Sequence, residues 1–267
     1  MTIVDIRLEN VVFRYSEEVT ALSNISLIIH QGERIALIGP NGSGKTSLAK
    51  HLNGLLRPSG GRGRIGGQQT EKLNVAALSR KVALSFQNPD DQISKRRVWD
   101  EVAFGPENLH YAKDRVHSLV EKSLSLFALG PLASSNPYDL GYSERKRVTL
   151  ASIVAMDTPV VVFDEPTAGM DARELGLLKA VLDQLKKEQK TVIIISHDMD
   201  FVAEQIGRVV CLNNGRILFD GPSSTAFRNK DLLESCSLRQ PQIARLSSFF
   251  ELDELALTPE TFVRALK

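Results

Sequence analysis

Apolar and polar residues alternate from the start of the chain. Val4, Ile6 and Leu8 interleave with Asp5, Arg7 and Glu9, the two-residue period of a half-buried strand and not the continuous core of a signal peptide. Val11 to Tyr15 (VVFRY), then Ile25, Leu27 and Ile29, extend the strand pattern. RIALIG, Arg34 to Gly39, leads into a glycine-rich loop, and a helical stretch from Ser47 to Leu55 follows. Three later runs, KVALSF from Lys81, VVVFDE from Val160 and TVIIISH from Thr191, are continuously apolar and β-branched. Strands covered on both faces read this way, so these runs predict a parallel sheet. Leu175, Leu178, Leu182 and Leu185 recur at helical spacing between the last two runs, supplying a crossover helix between neighbouring parallel strands.

The strand signal stops between Asn88 and about Val154, where Val116, Leu119, Val120, Leu124 and Phe127 form a helical stripe; a helical insert therefore interrupts an α/β sheet. Further on, VVCL and RILF flank Asn213, Asn214 and Gly215, a hairpin signal because asparagine and glycine tolerate positive φ. Residues 223–267 follow as a mixed appendix with helical patches at Phe227 to Glu234 and Pro259 to Leu266. The expected organisation is one domain over residues 1–222, with its helical part at about 88–154, and a C-terminal extension over 223–267.

Composition narrows the function classes. A chain of 267 residues with 42% apolar residues and a net charge of +1 is an ordinary globular protein without the basic excess that draws proteins to nucleic acid. Cys211 and Cys236 have no metal-ligand spacing and predict a reducing compartment. No run of about eighteen apolar residues is present to span a bilayer.

The chemistry is concentrated at strand ends. GPNGSGKT, comprising Gly39, Pro40, Asn41, Gly42, Ser43, Gly44, Lys45 and Thr46, lies between an apolar strand and a helix beginning near Ser47. That is the context of a phosphate-binding loop: glycines turn backbone N–H groups inward, lysine meets the terminal phosphates, and threonine offers a hydroxyl to Mg²⁺. VVVFDE delivers Asp164 and Glu165 at the C-terminal edge of its strand, where ligands sit in open α/β sheets. Asp164 suits a Mg²⁺ ligand, and Glu165 suits a base for the attacking water. Gln87 and His197 end two further strands, within reach of the same metal, water or γ-phosphate.

Together these residues resemble the nucleotide-binding subunit of ABC transporters from Ile3 to Gly221. The resemblance implies a P-loop NTPase fold of RecA type, with a mixed, mostly parallel sheet, an N-terminal antiparallel β subdomain and the helical insert. It also implies ATP and Mg²⁺ as ligands, with Tyr15 stacking on adenine, Gln87 as the Q-loop glutamine, and the loop ending in Asp171 crossing a dimer interface. In that family a signature of the form LSGGQ binds the γ-phosphate of ATP held by the opposite subunit. Here Leu140, Gly141, Tyr142, Ser143 and Glu144 occupy those positions. The segment is degenerate, and a tyrosine ring should obstruct the close approach that glycine allows. The expectation is an asymmetric heterodimer, in which this chain's own site is completed by an intact signature on a second, non-identical ATPase.

FQNPDDQI, Phe86 to Ile93, followed by VWDEVAFGPENL, is similar to energy-coupling factor (ECF) transporter ATPases, including the cobalt and nickel branch. That resemblance implies a transmembrane scaffold subunit and a substrate-binding membrane subunit as partners. It also implies import of vitamins or transition-metal ions, a peripheral position on the cytoplasmic face of the membrane, and a dimerising C-terminal extension. Ser94, Lys95, Arg96 and Arg97 depart from the family's usual aromatic and small residues and suit an acidic or polar partner. Two rival readings stay open at this point: the ATPase of a conventional ABC importer or exporter, and a soluble nucleotide-dependent regulator.

Overall fold

The structure is a computed structural model and describes residues 4–252 and 254–266; Ile3, where the family resemblance begins, lies outside the described residues. In chain order, β1 (Ile6–Arg14), β2 (Thr20–Ile29) and β3 (Arg34–Ile38) precede α1 (Lys45–Leu52). Next come β4 (Gly60–Ile65), β5 (Gln68–Gln69), α2 (Val75–Ser79) and β6 (Val82–Leu84). The insert helices are α3 (Val98–Asn108), α4 (Lys113–Leu126) and α5 (Tyr142–Ala155). The sheet resumes with β7 (Val160–Asp164), α6 (Ala172–Lys187), β8 (Thr191–Ile195), α7 (Met199–Gln205), β9 (Arg208–Asn213) and β10 (Arg216–Pro222). Among the described residues, four short helices follow: α8 (Ser223–Arg228), α9 (Lys230–Ser235), α10 (Gln242–Phe249) and α11 (Pro259–Ala265).

Two sheets result. One is antiparallel with strand order β2-β1-β4-β5, and the other has order β10-β9-β3-β8-β7-β6. In the second sheet β9, β3, β8, β7 and β6 run parallel, and only β10 is antiparallel to its neighbour. The alternation of side chains along each central strand divides the core in two. Ala36, Ile38, Val161, Phe163, Val192 and Ile194 face the insert and the α6 side. Ile35, Leu37, Val160, Val162, Ile193 and Ile195 face α1 and the antiparallel sheet. Both faces of these strands are covered, which is why their sequence is continuously apolar.

Three features differ from the sequence expectation. The helix expected from Ser47 to Leu55 begins at Lys45 and ends at Leu52, because Gly54 at φ 78° turns the chain away. A strand, β4, lies in SGGRGRI, which has little β propensity of its own; it is held by pairing with β1, Ile6 opposite Ile65. The appendix contains a third helical patch, α10, that sequence periodicity left unmarked.

Candidate functional site

The cleft follows from where β3 ends. Gly39 (φ 141°) and Gly44 (φ 102°) wrap the loop around the start of α1. A Cβ on Gly39 would lie 2.0 Å from the Leu212 carbonyl oxygen, and one on Gly44 2.5 Å from that of Ala21. Only glycine fits either place. The cleft of about 370 Å³ is lined by Asn41, Gly42, Ser43, Gly44, Lys45, Thr46 and Ser47 from this loop and helix, with Tyr15, Gln87, Asp164, Glu165 and His197 around it. Gly39 and Pro40 are outside that lining, and their carbonyls each accept from Lys45 Nζ at 2.8 Å.

Two strand ends converge on that loop. Thr46 Oγ1 donates to Asp164 Oδ2 at 2.8 Å, so a hydroxyl and a carboxylate, both hard oxygen donors suited to Mg²⁺, already sit side by side. Glu165 leaves β7 at φ 48°, a left-handed conformation unusual for a residue with a side chain. Its Oε2 accepts from the backbone N–H of His197 at 3.3 Å, and His197 Nε2 stands 3.3 Å from Oε1. Oε1 is buried without a hydrogen-bond partner, so the carboxylate keeps one acceptor in reserve. Tyr15 emerges from the end of β1 into solvent, its hydroxyl 3.1 Å from Ser47 Oγ.

Burial sets the electrostatics. It pushes Glu165 up to about 6, assisted by the Asp164 charge and opposed by the His197 N–H and the charges of Lys45 and Lys146. A carboxylate ionised at neutral pH yet basic enough to accept a proton is suited to general-base work. Burial also raises Asp164, against its bond from Thr46 and the charges of Lys146 and Lys45. It lowers Lys45 against the pull of Glu165 and Asp164, and lowers His197, where Lys45 adds to the effect.

Leu140, Gly141, Tyr142, Ser143 and Glu144 stand apart from the cleft, at the entry of α5. Glu144 Oε2 accepts the Gly141 N–H at 3.0 Å, half of a capping box. The ring of Tyr142 lies against Gly169, where an added Cβ would meet its Cδ1 at 2.7 Å. Asp171 caps α6, accepting the Glu174 N–H at 2.8 Å. None of these side chains is among the residues that line the cleft.

Sequence reasoning missed three buried or bridging side chains. Lys146 on α5 is fully buried, and burial pushes its ammonium down to about 8 against the attraction of Asp164 and Glu165. Gln92 bridges the Phe86 N–H at 2.9 Å and Thr149 O and Ser152 Oγ, both at 3.0 Å. Glu101, also buried, accepts the N–H groups of Ser94 and Lys95 at 2.9 and 2.8 Å. The DDQ run carried a signal for Gln92; the other two look like surface charges until folded.

Known proteins are similar to this chain over most of its length. The profile of the ABC transporter family matches residues 22–168. The energy-coupling factor transporter ATP-binding protein EcfA of Methanothermobacter thermautotrophicus is 36% identical, covering 96% of this chain and 85% of that one. EcfA of Carboxydothermus hydrogenoformans is 37% identical, with 92% and 91% covered. Among solved structures, cbiO1 from Clostridium perfringens, described as part of the ABC transporter complex cbiONQ, superposes with a TM-score of 0.75 at 28% identity, covering 92% of this chain and 98% of that one. The chain belongs to the ABC transporter family. Within it, the protein is an ATP-binding subunit with the ATPase activity of that family.

Proposed function

We propose that this protein energises an ECF-type importer of vitamins or transition-metal ions, as one half of an asymmetric ATPase pair on the cytoplasmic face of a membrane. The observation that carries the reading is the Phe86–Ile93 segment. Gln92 locks it onto α5, and a 3₁₀ turn at Pro89–Asp91 leads to the basic run Lys95 to Arg97. Glu101 holds that run in place, and Lys95 Nζ lies 4.3 Å over the Phe104 ring. A cationic run ordered in this way just after the Phe86–Ile93 segment suits a scaffold subunit whose docking helix carries carboxylates. EcfA and cbiO1 among the relatives support the same class. No described helix is long and apolar enough to cross a membrane, so membrane passage of the cargo falls to the scaffold and substrate-binding subunits.

Hydrolysis follows from the cleft. Adenine stacks on Tyr15, while the N–H groups of residues 41–47 and the Lys45 ammonium surround the phosphates. Thr46 and Asp164, with Gln87, would hold Mg²⁺, which would supply charge neutralisation on the phosphate oxygens. Glu165 orients a water for in-line attack on the γ-phosphorus and accepts its proton. The bond from γ-phosphorus to the bridging oxygen breaks, and the electron pair leaves with ADP. Lys45 and His197 hydrogen-bond the developing charge. The Tyr142 ring occupies the space that a Cβ on Gly169 would need, which supports a signature re-aimed away from the partner's phosphate and hence an unequal pair of sites.

The test is to purify the chain in mild detergent with its companions, identify them by mass, and measure ATP hydrolysis beside the Glu165→Gln variant. The reading expects a second ATPase with an intact signature, small membrane proteins, and a rate lowered about 100-fold or more by Glu165→Gln with ATP binding retained. Recovery of the chain only with itself would overturn the asymmetric importer.

A further inference from the structure

The parallel ladder between β6 and β7 ends early. Leu84 pairs with Val162, Ser85 N–H donates to Val162 O at 2.9 Å, and the strands then part. Beyond that point, Asp164 N–H donates to Ser85 Oγ at 3.2 Å. The carbonyls of Phe86, Gln87 and Asp164 receive no strand partner; all three turn to Lys146 Nζ, at 3.2, 2.7 and 3.2 Å. An ammonium has three donors, and each is matched to one of these carbonyls. The lysine comes from α5, two residues after the Leu140–Glu144 segment.

Burying an ammonium costs several kcal/mol before its interactions are counted, and its nearest carboxylates, Asp164 and Glu165, attract it without a direct salt bridge. A methionine of similar length would fill the space at less cost. What a methionine cannot do is fix where two diverging strand ends stand relative to each other and to a third element. We propose that Lys146 is a positioning residue for ATP hydrolysis: its three carbonyl bonds set the height of Gln87 and of the Asp164–Glu165 edge in the cleft, and tie both to the helix that presents the Leu140–Glu144 segment. The segment offered to the opposite subunit thus moves with this chain's own catalytic edge. Gln92 reinforces the link from the other side, joining Phe86 to Thr149 and Ser152 of the same helix.

This inference rests on the assignment of the cleft as the ATP site, and the experiment separates the two. The full-length chain is purified with its companions as wild type, Lys146→Met, Lys146→Gln and Glu165→Gln, and the rate is followed against ATP concentration, with thermal unfolding to check folding. Misplacement of a reacting group by about 1 Å costs up to about 100-fold in rate. Lys146→Met is therefore expected to lower kcat at least about tenfold with KM within about twofold, the pattern of a transition-state effect. Lys146→Gln, which retains two donors on a shorter stem, is expected to recover most of that loss. If the methionine variant does not fold, Lys146→Leu replaces it under the same expectation. A kcat near wild type in the apolar variant, a rise in KM matching the fall in kcat, or glutamine no better than the apolar variant overturns the proposal. Should Glu165→Gln also keep the wild-type rate, the site assignment falls and takes this inference with it.

Discussion

Tyr15 follows the last paired residue of β1, sets its ring edge-on to Phe13 with centroids 4.8 Å apart, and remains 59% exposed at the cleft rim. A buried aromatic would be explained by packing; this one offers an open face next to the phosphate loop. Base stacking on such a ring contributes about 1–3 kcal/mol. Tyr15→Ala should therefore raise KM for ATP about tenfold while leaving kcat nearly unchanged, which steady-state assays over ATP concentration will read. The phosphate loop, Asp164, Glu165 and His197 were legible because each closes a strongly apolar run, so sequence position alone fixes which edge of the sheet they occupy. Lys146 and Glu101 were illegible for the converse reason. Charged residues on helices ordinarily face water, and nothing local marks Lys146, whose partners lie 59 and 18 residues away in Gln87 and Asp164.

At the scale of elements, α5 joins three functions. Its entry carries the Leu140–Glu144 segment, its second turn holds Lys146, and Tyr142 rests on Gly169 in the loop before α6. Gly169 stands at φ 75°, so ring and loop have adapted to one another: a larger residue at position 169 would be strained in backbone as well as crowded. Replacing Gly141→Ser, Tyr142→Gly and Ser143→Gly restores the small, phosphate-facing entry. In an ATPase pair whose own cleft in this chain is silenced by Glu165→Gln, the remaining hydrolysis comes from the partner's cleft. Restoring the segment should raise that rate about tenfold or more, since a single well-placed donor is worth about 100-fold or more in comparable sites. No increase would show that Tyr142 does not limit the partner's site.

The re-entry of the insert into the sheet is a second junction of elements. Asp157, between α5 and β7, accepts from Lys190 at 2.6 Å and from Arg115 at 2.9 Å. Burial pushes its carboxyl upward, but the bonds and charges of Lys190 and Arg115 outweigh this and hold it below the usual range. A carboxyl depressed in the folded state contributes stability above its unfolded value of about 4 and loses it as pH falls through the lower folded value. Asp157→Asn should cost about 1–2 kcal/mol at neutral pH, Arg115 being too exposed to add much. Urea unfolding should show the gap to wild type closing below about pH 4. The helices of the insert were legible from α4's stripe, but this tether was not, because its three members lie in different elements.

Across the whole molecule, the strand runs gave the parallel sheet and its crossover helix directly, whereas β4 had no local signature because its stability comes from β1. The appendix shows the same division. Its first half is anchored: Cys236 and Phe227 are buried in the core shared with Cys211, and Asn213 Nδ2 donates to Ser235 O at 2.7 Å. Its second half is not closed over. Phe249 is 80% exposed, Phe250 51%, Val263 54% and Leu266 53%; Phe249 meets Phe250 edge-on, and Phe250 meets Phe262 of α11, the helix that carries Val263 and precedes Leu266. Isolated apolar residues on a surface need no explanation, but contiguous ones commonly mark a contact. Under the paired-ATPase reading, α10 and α11 belong to the contact that keeps two subunits together between cycles of ATP closure. Phe249→Glu with Leu266→Glu should then weaken association of the ATPase pair, seen by sedimentation without nucleotide, while the isolated chain binds ATP with its original affinity because the cleft lies on other elements. Unchanged association would remove the second half of the appendix from the interface and leave pairing to the ATP clefts alone.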